Sequence, residues 1–441
     1  MKKIRNRSVF SLLIAAVLVA GLTFLTVKLA KNGRDWAMFR ADQSVFNEGV
    51  LSTGTVTDRG GIVLATAADG KATYAADATV RKACLHAVGD WQGNIGTGAL
   101  SAFNFKLAGY DMLNGVASLN SAGGTAELSI DSKLNVAALS ALGNRRGAVL
   151  LENYKTGEIL CMLSTPTYDP ANPPDLSQPA YEGAYLNRCL SSTFTPGSVF
   201  KLVTLAAAIE NRPDLESEAF ECAGSVKVGA DTVNCTGVHG NQTIEQALSH
   251  SCNCAFSQLS QELGADVIAS YADKLGLTKK LSVSGIATAA GSVEKGQDGT
   301  VNLSWMGIGQ YNDQVTPIAM LRLASAIANG GEAEEPVLLK GAHTSATKLM
   351  EQDTADRIKD MMAYNVTAAY GASRFPGLSL CAKTGTAERG DGTSNAWFVG
   401  FLNDSDHPYA VTVCIEKGGG GLANAGPVAN AVLQAAVAAN D

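Results

Sequence analysis

From Val9 to Val27 the chain runs through 19 uncharged, mostly apolar residues without interruption. A helix of that length reaches about 28 Å at ~1.5 Å per residue, close to the ~30 Å hydrocarbon core of a bilayer. Lys2, Lys3, Arg5 and Arg7 precede it, and this charge bias predicts a cytoplasmic N-terminus with the rest exported. A cleaved signal peptide would have a shorter apolar run and a small-x-small exit, and this run has neither. Residues 28–48 read as a polar, charged stalk with helical character. From about Leu51 the pattern shifts to short strands. Gly54 to Ala65 reads as strand, tight turn, strand. Residues 66–127 alternate apolar and small positions with no strong helical period and read as a small mixed domain.

A second regime starts near Leu128. Asp131 to Leu142 has the spacing of an amphipathic helix capped by Asp131. Gly147–Glu152 and Glu158–Ser164 are strand-like and joined by a turn at Asn153–Gly157, hence a hairpin. Pro-rich sequence through Pro179 predicts a long surface loop. Val199–Glu210 reads as an apolar helix, Thr243–Leu263 as two helices broken around His250–Asn253, and Met320–Asn329 as a helix ended by Gly330-Gly331. Leu378–Glu388, Ala396–Leu402 and Tyr409–Lys417 are strand-like, and Val428–Ala439 closes as a helix. Helices, then a meander, then a last helix predict an α+β fold with an antiparallel sheet. The expected organisation is 1–8 cytoplasmic, 9–27 membrane span, 28–130 stalk and small domain, and 131–441 catalytic domain.

A chain of 441 residues with 46% hydrophobic and 17% charged residues has the size and composition of two or three globular units. Net charge of −7 argues against nucleic acid as a partner. Nine cysteines leave at least one without an intrachain disulfide. Cys222 and Cys235 flank a Gly-containing segment with hairpin character and are the candidate disulfide; two buried thiols are the alternative. There is no CxxC or HxxxH and the five histidines are scattered, so no metal site is expected.

Three strings carry candidate chemistry: Ser198-Val-Phe-Lys201, Ser251-Cys-Asn253 and Lys383-Thr-Gly385. Each recurs elsewhere, at Ser292/Lys295, Ser345/Lys348, Ser118/Asn120 and Lys155–Gly157. Only one combination satisfies order, spacing and context. Thr195-Pro-Gly197 interrupts regular structure just before the apolar helix, placing Ser198 near a helix N-terminus with Lys201 one turn on. A serine hydroxyl needs an adjacent base, and lysine serves only when neutral, against a free pKa of about 10.4. The helix dipole supplies about 0.3–1 kcal/mol, less than one pKa unit. Burial and a second cation must supply the rest, and Lys383 is the candidate cation. An isolated Ser-x-x-Lys is more often a capping serine and a wet lysine; here Phe200, Leu202 and Val203 surround the lysine in sequence. Ser251 suits proton relay to a leaving amine, and the Asn253 amide suits both Lys201 and a substrate carbonyl. Cys252 and Cys254 are assigned to packing. Lys383 to Thr386 lies in a strand whose free edge would pair with an extended peptide. The backbone N–H groups of Ser198 and Thr386 would form the oxyanion hole, and the Thr384 and Thr386 hydroxyls would bind a terminal carboxylate.

With these residues in place, the chain resembles the class B penicillin-binding proteins, monofunctional peptidoglycan D,D-transpeptidases. Gly54–Ala65 is similar to the family's membrane-proximal signature, with Gly60 in place of its usual Asn. Pro166, Tyr168, Asp169, Pro170, Arg188, Thr195–Lys201, Gly309-Gln310, Thr316-Pro317, Lys383–Glu388 and Trp397–Gly400 also fit. The resemblance implies a five-stranded antiparallel sheet flanked by helices, carried on a pedestal domain. It implies an acyl-enzyme on Ser198 with Lys201 as base, Ser251, Asn253 and Lys383 in support, no cofactor, and inhibition by β-lactams. The expected substrates are peptidoglycan stem peptides, and the expected partner is a multi-pass glycan polymerase in the same membrane. About 100 residues between span and catalytic region are too few for a glycosyltransferase module. A D,D-carboxypeptidase, a β-lactamase and a non-turnover sensor or scaffold are the competing readings.

Overall fold

The computed structural model describes residues 2–37, 46–47, 50–51, 53–68, 71–111, 116–117 and 123–439. Part of the expected stalk and the 69–70, 112–115 and 118–122 stretches of the small domain lie outside these residues. Helix α1, Lys2–Ala37, contains the apolar run. Its Arg7–Lys31 segment is long and apolar enough to cross a membrane, and its large side chains from Val9 to Val27 contact no other part of the protein surface enough to be covered.

The small domain is a four-stranded sheet. Strand Gly54–Thr57 sits between Val63–Ala68 and Thr125–Glu127, pairing antiparallel with the first and parallel with the second, and Lys71–Tyr74 lies beyond Val63–Ala68. Several elements were not placed by the sequence pattern, among them the helices Ala78–Val88, Ala265–Lys274 and Gln352–Asn365. Ala78–Val88 is a helix, where the pattern showed no helical period. Its start is fixed by Asp77, whose carboxylate accepts from the N–H groups of Thr79 and Val80. Its buried residues run consecutively, Ala83, Cys84, Leu85, His86, Ala87 and Val88, which blurs the periodic signal.

The larger domain is built on one antiparallel sheet. In chain order its strands are β1 (Gly147–Asn153), β2 (Glu158–Thr165), β3 (Leu380–Glu388), β4 (Ser394–Leu402) and β5 (Tyr409–Ile415), arranged β2-β1-β5-β4-β3. Both faces are covered. Helices α2 (Ser132–Leu142) and α7 (Gly426–Ala438) pack on one side against Val149, Leu151, Phe398 and Val413. Helix α5 (Pro317–Ala328) packs on the other with Leu150, Trp397, Val399 and Phe401. Burial on both faces makes these strands continuous apolar runs rather than alternating ones. Helix α3 (Lys201–Asn211) is buried on all sides over its first nine residues, which is what a helix apolar around its whole circumference requires. Helix α4 (Asn253–Leu263) packs against it, and α6 (Gln352–Asn365) runs beside β3, where the Asn365 side chain donates to the Ala382 carbonyl at 3.0 Å.

The two domains share one apolar core, which runs from Val56 and Leu64 into Leu150 and Met162. Asp58 joins them by hydrogen bonds. One carboxylate oxygen accepts from the N–H groups of Gly60 and Ile62, at 2.9 and 2.8 Å, and shapes the turn. The other accepts from the Ser132 hydroxyl at 2.6 Å, at the start of α2. Arg81 of the small domain's helix meets Asp169 with two parallel 2.7 Å bonds, the strong geometry for this pair.

Glu152 on β1 is fully buried; the Ser325 hydroxyl of α5 donates to one of its oxygens at 2.8 Å, and the other oxygen has no partner. Burial pushes its carboxyl up to about 8. The folded state therefore holds a proton that the unfolded chain releases above about pH 4.3. The resulting stability is complete below that pH and is lost as pH rises toward 8. Glu152→Gln should melt at nearly the wild-type temperature at pH 4 and a few degrees above wild type at pH 8.5, read by paired thermal melts. Equal melting differences at both pH values would contradict a neutral Glu152.

Candidate active site

The Ser198 string forms a single 3-10 turn, Gly197–Phe200, which runs directly into α3. The nucleophile candidate is therefore in a tight turn before the α-helix proper. Ser198 is half-buried, whereas Lys201 is fully enclosed. Trp397 on β4 anchors the approach by donating its indole N–H to the Thr195 carbonyl at 2.9 Å. Gly197 donates to the Gly309 carbonyl at 2.8 Å.

The turn carrying Ser198 lies directly against β3. Gly197 has φ +57°, and a Cβ there would come within 2.9 Å of the Ala387 Cα. A Cβ on Gly385 would sit 3.0 Å from the Pro196 carbonyl and 3.2 Å from the Val199 nitrogen. These two glycines let turn and strand approach backbone to backbone. β3 is the outer strand of its sheet. The Thr384 N–H points away from β4, because the Tyr370 hydroxyl accepts it at 2.9 Å. Alternation along an antiparallel strand sends the Thr386 N–H to the same open edge.

The three strings converge on one hydroxyl. The Lys201 ammonium donates to the Ser251 carbonyl at 2.6 Å, to the Asn253 amide oxygen at 2.9 Å and to Ser251 Oγ at 3.3 Å. The Lys383 ammonium donates to the same Oγ at 3.1 Å and to the Thr384 carbonyl at 2.8 Å. Ser251 holds this position with φ +52°, a conformation unusual for a residue with a side chain. Asn253 is fixed from its other end, its amide donating to the Asn234 carbonyl at 2.9 Å. Phe256 places its ring 5.4 Å beneath the Lys201 ammonium.

Two cations that share one acceptor lie no more than about 6 Å apart, and at an effective dielectric of 20 they repel by about 3 kcal/mol. Burial pushes Lys201 down to about 8. Lys383 falls well below the ordinary lysine value, through burial first and the Lys201 charge second. Burial rather than the Lys383 charge lowers Lys201, and the charge coupling runs the other way, from Lys201 onto Lys383.

The structure brings Ser251, Asn253, Lys201 and Lys383 into direct contact and sets the Ser198 turn against Gly385–Ala387. The Thr384 hydroxyl faces Tyr370, 3.3 Å away, and the Thr386 hydroxyl accepts from the Gly421 N–H at 3.3 Å. Sequence reasoning missed Tyr370, a buried residue whose only local cue is the following Gly371. It also missed Asn234 as the anchor of Asn253. The expectation of a Cys222–Cys235 disulfide is corrected: both thiols are free. The structure also brings Cys222, Cys235, His239 and Cys252 together, their ligand atoms within 4.8 Å of one another.

Residues 147–434 match the family described as the penicillin binding protein transpeptidase domain. Peptidoglycan D,D-transpeptidase PbpA of Mycobacterium tuberculosis is 29% identical over 359 residues, spanning 71% of this chain and 73% of that protein. PbpA of Mycolicibacterium smegmatis is 31% identical over 360 residues with the same shares. The structure of penicillin-binding protein A from M. tuberculosis as its ceftriaxone acyl-enzyme is similar with a TM-score of 0.77 at 26% identity, covering 87% of this chain and 98% of that one. The chain belongs to the penicillin-binding protein transpeptidase family.

Replacing Gly197 with Ala should push the turn from β3. The expected result is a loss of about 1–3 kcal/mol of stability and acylation by a fluorescent penicillin slowed by about tenfold or more, as displacements of this size cost in other sites. Unchanged labelling kinetics in Gly197→Ala would show that the close approach is not required.

Proposed function

We propose that this chain is a serine acyltransferase that cross-links peptidoglycan stem peptides through an acyl-enzyme on Ser198. The observation that carries this reading is the convergence of Lys201 and Lys383 on Ser251 Oγ beside the Ser198 turn and the open edge of β3. A stem peptide ending in D-Ala-D-Ala lies extended along that edge. Neutral Lys201 takes the Ser198 proton as Oγ attacks the penultimate carbonyl. The N–H groups of Ser198 and Thr386 face the developing oxyanion. The hydroxyls of Thr384 and Thr386 hold the terminal carboxylate, and Gly385 allows the strand to lie close. Ser251, poised between two lysines, passes the proton to the departing D-alanine nitrogen. The amine of a neighbouring stem then attacks the ester, the proton returns by the same route, and the peptide cross-link forms. A β-lactam mimics the donor and stops at the ester.

The four-part organisation, 1–8, 9–27, 28–130 and 131–441, fits this reading. The span in α1 holds the catalytic domain on the outer face of the membrane, with the four basic residues of the N-terminus inside. Acylation of the detergent-solubilised full chain by penicillin should leave a stable adduct on Ser198 in peptide mass spectra, and none in Ser198→Ala. Because only neutral Lys201 accepts a proton, the acylation rate should climb with pH to a plateau, with a midpoint about 8. A flat profile from pH 6 to 10 would remove Lys201 as the base, and rapid penicillin hydrolysis without an adduct would point to a β-lactamase.

The same reading assigns the span and small domain a second task, contact with a multi-pass glycan polymerase that supplies the strands to be joined. Such a polymerase should co-purify with the chain and be lost when Val9–Val27 and the small domain are exchanged. Retention after both exchanges would sink the idea.

A further inference from the structure

Four side chains that no step of the reaction uses lie immediately behind the catalytic turn. Cys222 ends the strand Phe220–Cys222, Cys235 follows the hairpin Ser225–Val228/Asp231–Asn234, and His239 precedes the strand Gly240–Gln242. Cys252 is the middle residue of Ser251-Cys252-Asn253. Their ligand atoms all lie within 4.8 Å of one another, with Cys222 and Cys252 buried and Cys235 and His239 half-buried. Cys235 Sγ is 3.7 Å from Cys252 Sγ and 3.6 Å from His239 Nδ1. A disulfide needs about 2.05 Å, so Cys235 and Cys252 are not bonded. A tetrahedral zinc ion with Zn–S of about 2.3 Å and Zn–N of about 2.0–2.1 Å sets its ligands about 3.8 Å apart for S···S and about 3.6 Å for S···N. The Cys235–Cys252 and Cys235–His239 spacings match those edges, and every other pair among the four lies within 4.8 Å.

The surroundings suit a bound thiolate. The Asn253 N–H donates to Cys235 Sγ at 3.2 Å, the kind of outer contact that orients and tunes a ligand. The His239 ring is held flat against His250, 4.8 Å between centroids and 8° between planes, and His250 is itself paired with Gln242 at 2.9 Å. The spacing is Cys-x12-Cys-x3-His-x12-Cys. Thiolates and imidazole together select zinc over magnesium or calcium, and three cysteines with one histidine complete a closed, structural coordination shell.

We propose that Cys222, Cys235, His239 and Cys252 bind one zinc ion that pins the 220–242 segment to the catalytic turn. The segment consists of strands of three or four residues, and two-stranded pieces of that size are marginal without a further staple. The ion ties three ligands of this segment to Cys252, between the two residues that hold Lys201. The Asn253 amide, bonded to the Asn234 carbonyl, shares the same tie. The effect on catalysis rests on the roles assigned above to Ser251 and Asn253; the zinc site itself does not.

The test uses the full chain, purified in detergent without chelators from zinc-supplemented cells. Elemental analysis should give one zinc per chain in the wild type and in Cys84→Ala, and none in Cys222→Ser or His239→Ala. To separate metal binding from folding, the wild type is also stripped and reloaded with cobalt, which should give the visible absorption of a tetrahedral thiolate site. Stripping should slow penicillin acylation of Ser198 roughly tenfold, with recovery on adding one equivalent of zinc. Failure of the stripped wild type to take up zinc or cobalt would overturn the proposal. So would copper or iron in place of zinc, or a Cys222–Cys235 disulfide in non-reduced peptide maps. Zinc that leaves without changing the acylation rate would overturn the link to the turn. Zinc bound to a chain that penicillin does not acylate would count against the catalytic reading instead, so the two failures are distinguishable.

Discussion

Two lysine ammonium groups enclosed by protein and aimed at one serine hydroxyl set the terms for everything around them. Neither side chain has more than 1% of its surface exposed, and burial of a cation is costly unless hydrogen bonds replace its water. The turn at Ser251–Asn253 supplies those bonds through a carbonyl, a hydroxyl and an amide oxygen. To do so it adopts a positive φ at Ser251 and is braced from behind by the Cys235 and Asn234 side of the adjoining hairpin. The five-stranded sheet carries Lys383, and the buried helix α3 carries Lys201. Their relative placement depends on backbone contact between the Gly197 turn and β3. Sheet, helix and turn are thus three supports of a single electrostatic arrangement.

The fold was legible in the sequence wherever burial imposed a pattern. The hairpin of β1 and β2, the strands β3 to β5, helices α2, α5 and α7, and the break before Asn253 appear within a few residues of where the pattern placed them. β3 to β5 could be read because both faces of the sheet are covered, which leaves uninterrupted apolar runs. The helix Ala78–Val88 was missed because its buried residues are consecutive from Ala83 to Val88 and carry no turn-spaced pattern. Of the site, the three strings were legible because each joins a chemically distinctive residue to a break in regular structure. The geometry among them was not, since Ser251 and Lys383 are 132 residues apart and no local pattern encodes their contact. Tyr370 was invisible for the same reason: its partner is a backbone N–H on a distant strand.

The cysteines show how spacing misleads without a fold. Cys222 and Cys235 flank a hairpin and read as a bridge. Folding instead brings in His239 from the following loop and Cys252 from the Ser251–Asn253 turn. What looked like one covalent crosslink is a four-membered cluster, and its members come from segments that sequence motifs treat separately.

The edge of β3 has one more consequence. The Thr384 N–H is already held by Tyr370, and the Thr386 carbonyl accepts from the Gln310 side chain at 3.4 Å. Few backbone groups are left for a visiting peptide, and each hydrogen bond contributes only about 0.5–1.5 kcal/mol net. A site of this kind grips its donor weakly and briefly. On the reading proposed above, residence comes from the ester on Ser198, so the covalent bond acts as the enzyme's memory: it keeps one strand parked while diffusion brings the second. Commitment resides in chemistry rather than in affinity, and occupancy by a β-lactam follows the same rule.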